Sequence, residues 1–185
     1  AGFVSSPVHS SVTGTVTKIA EYSDTQGFTK QAIYIKAEEK DEWADGIVIS
    51  EKIEKNTSLE PKEIIKKISD AGIVGLGGAC FPTHVKLTPP ADCKIDSLII
   101  NAVECEPYLT TDYRRMIENP EELIAGMKIV LQLFDNAKGI LAVEDNKPDC
   151  IQKLKELVAD EPRITVMGLK TKYPQGGEKQ LIKAV

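Results

Sequence analysis

The sequence predicts an α/β protein: a parallel sheet flanked by helices, preceded by a separate small β segment. Three observations predict it. From residue 58 onward, short apolar runs alternate with amphipathic stretches, several of them opened by proline. Residues 1–50 instead cluster β-branched residues. The composition, 42% hydrophobic and 5% aromatic over 185 residues, supplies an aliphatic core for one ordinary domain plus a smaller piece.

The elements follow in chain order. Val12, Thr13, Thr15, Val16, Thr17 and Ile19 predict a strand with Gly14 as a bend, and Ala32–Ile35 a second strand. Glu38–Glu42 is a charged, solvated surface segment. Pro61 suits a first helical turn, with Thr57 or Ser58 as the cap; Ile64, Ile65 and Ile68 follow at helical spacing, and Gly72 can end the helix. Leu98–Ile100 is a short strand. Asn119-Pro120-Glu121-Glu122 opens a helix to about Phe134, with acids on its positive end. Ile140–Val143 is a strand, Lys147–Ala159 a helix, Ile164–Met167 a strand, and Gly177 onward a helix start. The strand–helix alternation makes the larger part Rossmann-like.

Bulk properties exclude several roles. A net charge of -5 leaves no basic face for nucleic acid. No apolar run is long enough to cross a bilayer, and residues 1–4 do not resemble a signal peptide. The start without Met and the ending at Lys183-Ala184-Val185 suggest a segment of a longer chain. Cys80, Cys93, Cys105 and Cys150 include no C-x-x-C pair, and His9 and His84 are far apart. Reduced thiols are therefore expected, with no disulfide and no metal site in this chain.

Three segments carry chemistry. Gly72–Thr83 holds Gly75, Gly77 and Gly78, whose backbone can approach a ligand closely and turn successive N–H groups toward an anion, with Lys86 following. It lacks the G-x-x-x-x-G-K-[ST] pattern and follows a helix, so spacing alone leaves open a loop that needs glycine only to turn. Asn101-Ala102-Val103-Glu104-Cys105-Glu106-Pro107-Tyr108 stands just after a strand, where open α/β sheets bind ligands. Its amide and carboxylates can bond ring edges or ribose hydroxyls, and Glu104 or Glu106 can serve as acid/base; for the segment alone, a polar loop capped by Pro107 is the better reading. Lys172-Tyr173-Pro174-Gln175-Gly176-Gly177-Glu178 also joins a strand to a helix, with Tyr173 able to stack on a ring. A plain strand-to-helix turn is the simpler reading of that segment alone.

Taken together and in this order, Gly-Leu-Gly-Gly-Ala-Cys-Phe-Pro-Thr-His-Val-Lys-Leu, Asn-Ala-Val-Glu-Cys-Glu-Pro-Tyr and Lys-Tyr-Pro-Gln-Gly-Gly-Glu-Lys-Gln-Leu resemble the C subunit of Rnf electron-transport complexes. They resemble more distantly the flavoprotein subunit of respiratory complex I. Pro7–Val16 is similar to the lipoyl-like barrel-sandwich hybrid of those C subunits, present here in part. The resemblance implies a partial barrel-sandwich segment over 1–50 and an FMN- and NADH-binding domain over 58–185. It implies that Gly75, Gly77, Gly78, Cys80 and Phe81 hold FMN, with Lys86 near its ribityl or phosphate end. Asn101, Glu104 and Glu106 would line the flavin and nicotinamide cleft, with Glu106 on the catalytic, nicotinamide side. Tyr173, Gly176 and Glu178 would complete the NADH side. NADH would reduce the flavin, and electrons would leave through 4Fe-4S clusters in a later part of the chain, toward ferredoxin. Other subunits of a membrane Rnf complex are the implied partners, with ion translocation by the complex and a peripheral place on the cytoplasmic face.

The sequence departs from the family at three points. Cys80 stands where many relatives have glycine, Val103 where complex I relatives carry Asp, and Lys179 where they carry a second Glu. Because the family's flavin site also draws on chain beyond Val185, this segment alone is expected to hold FMN weakly and to be inactive. A docking or assembly module of a membrane redox complex is the alternative from another class. A quinone- or metal-linked protein is a third.

Overall fold

A computed structural model describes residues 2–50, 52, 53, 56–106 and 108–185; the turn role expected of Pro107 lies outside them. The chain divides into two compact units, Pro7–Glu51 and Ala1–Ser6 with Lys52–Val185.

The smaller unit is built on two antiparallel strands, β1 (Gly14–Ser23) and β2 (Thr29–Ala37), with Ile19 opposite Ile33 and Val16 opposite Ile35. Gly14 opens β1 and does not bend it; a Cβ there would lie 2.3 Å from the Lys36 carbonyl oxygen. The register shift comes instead between Val16 and Lys18.

The larger unit starts with α1 (Pro61–Asp70). Its cap is Glu60, not Thr57 or Ser58: the Glu63 carboxylate accepts from the Glu60 N–H, and the Glu60 side chain accepts from the N–H of Glu63. Gly72, with φ of 67°, ends the helix as expected, its N–H donating to Ser69 O while Ile73 N–H donates to Ile68 O. After a glycine-rich loop comes the one-turn helix α2 (Thr83–Lys86). Then follow β3 (Ser97–Ala102), α3 (Thr111–Glu118), α4 (Pro120–Leu131), β4 (Lys138–Glu144), α5 (Pro148–Leu157), β5 (Ile164–Leu169) and α6 (Glu178–Ala184). Sequence reasoning did not anticipate α2 or α3.

The three strands form a parallel sheet in the order β3-β4-β5, with Ala102 beside Val143 and Glu144 beside Leu169. Their carboxyl ends therefore finish level. Residues alternate between two cores. Leu141, Val143, Ile164 and Val166 pack with Met116, Met127, Leu131, Cys150 and Leu154 from α3, α4 and α5. Ala142 and Leu169 face the other way, onto Leu181 of α6. Leu141, Ala142 and Val143 of the central strand are fully buried, which explains the continuous apolar run there. Arg163 holds the far end of α4, donating to the carbonyl oxygens of Leu131, Phe134 and Ala137.

Leu154 lies wholly inside the larger core. Leu154→Ala should lower stability by about 2–5 kcal/mol, read from the midpoint of urea denaturation. A loss below about 1 kcal/mol would mean that α5 does not pack on the sheet in this way.

Candidate functional site

A cleft of about 510 Å³ opens beyond the carboxyl ends of the strands, a size suited to a small ligand. Its wall comes from the segment after β3, from Glu144 at the end of β4, from Asn146 and Lys147 after it, and from Thr171, Lys172 and Tyr173 after β5.

The floor carries three buried charges. Lys147 Nζ donates to Glu104 Oε2 and to Glu144 Oε2, both at 2.9 Å, and all three side chains are at least nine-tenths buried. Glu104 does a second task. Thr110 begins α3 without a side-chain cap, and the Glu104 carboxylate takes that place: Asp112 N–H donates to its Oε1 at 2.7 Å and Tyr113 N–H to its Oε2 at 3.3 Å. Burial opposes the charge on Lys147, but its hydrogen bonds to Glu104 and Glu144 and their negative charges outweigh that and raise its pKa above the ordinary 10.5.

Two further bonds join the loops around the cleft. Thr171 donates from its N–H at 3.0 Å and its hydroxyl at 2.8 Å to Asp145 Oδ1, which holds that carboxyl below its usual range. Tyr113 OH donates to Asp149 Oδ2 at 2.7 Å, tying α3 to α5. Tyr108 (φ of 66°) and Tyr173 stand exposed on the rim.

Of the residues singled out from sequence, Glu104, Glu106 and Tyr173 line this cleft. Gly75, Gly77, Gly78, Cys80, Phe81, Lys86, Asn101, Gly176 and Glu178 do not. They are nevertheless drawn together. Asn101 Nδ2 donates to Gly176 O at 2.8 Å, and Lys86 Nζ lies 4.0 Å from Glu178 Oε1. Gly176 is required where it stands, because a Cβ would come 2.3 Å from Val103 O. All three motifs therefore meet at one end of the domain. Sequence reasoning missed Glu144 and Lys147. The usable signal was a carboxylate ending the apolar run Ile140–Val143, three residues before a lysine.

The glycine loop is closed at its neck by a Val74–Pro82 bridge and by Gly75 N–H donating to Phe81 O at 2.9 Å. Within it, Gly78 and Cys80 take positive φ of 95° and 49°. Among the described residues, no acceptor takes the backbone N–H groups of residues 76–80. A Cβ added at Gly77 or Gly78 meets nothing within 4 Å. An open row of unpaired donors fits an anionic group such as the phosphate of a flavin nucleotide.

The thiols divide by environment. All four cysteines are free; Cys80 and Cys93 are exposed and Cys105 is half-buried beside Gly176. Cys150 sits in the core, where burial, and then the charge of Asp149, push its thiol up to about 11. Among the described residues no group of three or more His, Cys, Asp or Glu could hold a metal ion, and no helix is long and apolar enough to cross a membrane.

A parallel α/β sheet with a donor-lined glycine loop and a polar cleft beyond its strand ends defines a cofactor-binding domain of the nucleotide-handling kind. The chain belongs to the Nuo51 FMN-binding domain family, whose model matches residues 68–185. It is 46% identical over 99% of its length to the C subunit of the proton-translocating ferredoxin:NAD(+) oxidoreductase complex of Clostridium ljungdahlii. It is 42% identical over its whole length to the C subunit of the Na(+)-translocating ferredoxin:NAD(+) oxidoreductase complex of Acetobacterium woodii. The chain spans 39% and 41% of those two relatives. Among solved structures, an NAD+-reducing NiFe hydrogenase in the air-oxidized state matches 67% of this chain and 23% of its own, with a TM-score of 0.58 and 33% identity. Resemblance to Rnf-type C subunits, expected from the three motifs, is thus met by these relatives.

Lys147 balances two buried carboxylates. Lys147→Met should therefore destabilise the chain by about 3–5 kcal/mol, measured by urea denaturation. The sign of the pH dependence follows from the raised pKa. The stabilisation is complete below the unfolded value near 10.5 and fades as pH climbs through the higher folded value. The stability gap between parent and Lys147→Met should accordingly hold from pH 7 to 9 and narrow only in strong alkali. A gap that already narrows between pH 7 and 9 would assign the effect to another group.

Proposed function

We propose that this chain is the FMN- and NADH-binding part of an Rnf-type NADH:ferredoxin oxidoreductase subunit. The observation that carries the reading is the meeting of three motifs at the carboxyl end of a parallel sheet, in a family named for FMN binding. The open amides of residues 76–80 support a phosphate-holding role for Gly75, Gly77 and Gly78, with Cys80, Phe81 and Lys86 alongside. Asn101 and Gly176, bonded to each other, and Glu178 would shape the ring end. Glu104, Glu106 and Tyr173 line the cleft into which the dinucleotide would reach.

When bound, FMN supplies two-electron acceptance from NADH and one-electron release, which no side chain here can provide. The protein's part is to bind, orient and exclude water. Glu104 and Lys147 are occupied with each other and with α3, so they hold the shape of the cleft. Glu106 is exposed on the cleft lining with no side-chain bond among the described residues, which supports a role for it on the nicotinamide side. The 4Fe-4S clusters, ion translocation, complex partners and peripheral membrane location belong to the whole subunit and its complex. The hairpin Gly14–Ala37 would be part of the barrel-sandwich segment, supported by its exposed Val16, Ile19 and Ile33.

The test uses the full-length subunit. It should be purified yellow and bleach when NADH is added; a colourless protein that takes up no FMN overturns the reading. Glu106→Ala should keep its flavin yet be reduced about 10-fold or more slowly by NADH, by stopped-flow absorbance, as a lost ligand hydrogen bond to a carboxylate would produce. Equal rates would remove Glu106 from the site. The 185-residue chain alone should bind FMN far more weakly than the full subunit in an equilibrium titration. Equal affinity would place every wall of the flavin site within residues 1–185.

A further inference from the structure

The charged floor of the cleft contains one atom that its own hydrogen bonds do not explain. Glu144 is 2% exposed, and its Oε2 is taken by Lys147. Its Oε1 has no hydrogen-bond partner among the described residues, and Glu144 lines the cleft. A carboxylate held this deep is normally bonded at both oxygens, because each unmet lone pair adds to the desolvation cost. Here one oxygen is fixed by an ammonium that is itself pinned by Glu104, and the other is left without a partner among the described residues, on a residue that lines the cavity.

The charge balance says what this oxygen can accept. Two carboxylates and one ammonium leave the floor with a net charge of about −1 in a poorly solvated place. A phosphate or carboxylate would be repelled there. A cation would have to compete with Lys147. A neutral donor, a hydroxyl or an amide N–H, gains a charge-assisted hydrogen bond without adding charge. The anion-receptive feature lies elsewhere, in the unpaired amides of residues 76–80.

Resting on the reading of this cleft as a dinucleotide site, we propose that Glu144 Oε1 is a specificity-determining acceptor for a neutral hydrogen-bond donor of the bound dinucleotide, a ribose hydroxyl or the carboxamide N–H. Lys147 acts as its positioning residue, since it fixes the other oxygen of that carboxylate.

The experiment measures the dissociation constant of NADH on the flavin-loaded full-length subunit, for the parent and for Glu144→Met, which keeps the length but loses the acceptor. The same titrations use reduced 3-acetylpyridine adenine dinucleotide, which lacks the amide N–H, and 2′- and 3′-deoxyribose forms of NADH. Glu144→Met should bind NADH about 10-fold or more weakly. One analogue should lose a similar factor on the parent and nothing further on the variant; which analogue does so tells carboxamide from hydroxyl. NADH affinity within 2-fold of the parent, or analogue losses that persist unchanged in the variant, overturns the proposal. If Glu144→Met does not retain flavin, Glu144→Gln replaces it under the same criteria. There the amide oxygen goes to Lys147, a pure donor, and the NH2 faces the cleft. A parent that binds FMN but is not bleached by NADH would overturn the dinucleotide reading itself, an outcome separate from equal affinities in parent and variant.

Discussion

The bridge from Lys147 to Glu104 and Glu144 is the constraint on which the cleft depends. It joins the segment after β3, the end of β4 and the start of α5 through one ammonium with two bonds of 2.9 Å. Because Glu104 also receives the first free amides of α3, the same carboxylate sets where that helix begins. Tyr113 of α3 then reaches Asp149 at the head of α5 and closes the circuit. Displacing any one member would strip a buried charge of its partner, which costs more than the lost bond itself.

The loops that carry ligand-facing residues are fixed by a different device, close backbone approach. Gly176 lets its segment lie against Val103 O, and Asn101 fastens the contact by donating to Gly176 O. Asp145 does the same for the β5 loop through Thr171. Rigid strand ends thus pass their precision to irregular segments, as a binding site at the edge of a sheet requires. The glycine loop is tied at its neck, by the Val74–Pro82 bridge and the Gly75 N–H bond to Phe81 O. Its amides at residues 76–80 have no partner among the described residues, so an anion bound there would satisfy several donors at once.

The sheet was legible because its signals are local. Leu98–Ile100, Ile140–Val143 and Ile164–Met167 are apolar runs of strand length, and Pro120 and Pro148 mark helix starts by chemistry within one turn. What the sequence did not disclose depends on partners distant along the chain. Helix α3 has one buried residue, Met116, and no side-chain cap of its own. Its cap is Glu104, which lies before it in an irregular segment. Lys147 looks from sequence like the start of an amphipathic helix, and only the level strand ends bring it against Glu104. The three motifs around the site were legible one by one; their contacts across more than 70 residues, such as Asn101 to Gly176, were not.

A buried network of three charges is a poor way to gain stability. Well-packed apolar side chains of similar volume serve equally well or better, because removing ions from water costs several kcal/mol each. A plain Ser or Thr bonding at Thr110 would cap α3 at less expense in desolvation. Stability alone is therefore a poor account of the network, and what it presents outward is a better one. Most of its lone pairs are spent internally, on Lys147 and the α3 amides. What remains without a partner among the described residues is one fixed oxygen of Glu144, a residue that lines the cleft together with the exposed Tyr108 and Tyr173. A lone carboxylate on a flexible loop would carry the same charge but not the same direction. The network supplies direction, and direction is what distinguishes one hydrogen-bond donor of a ligand from another.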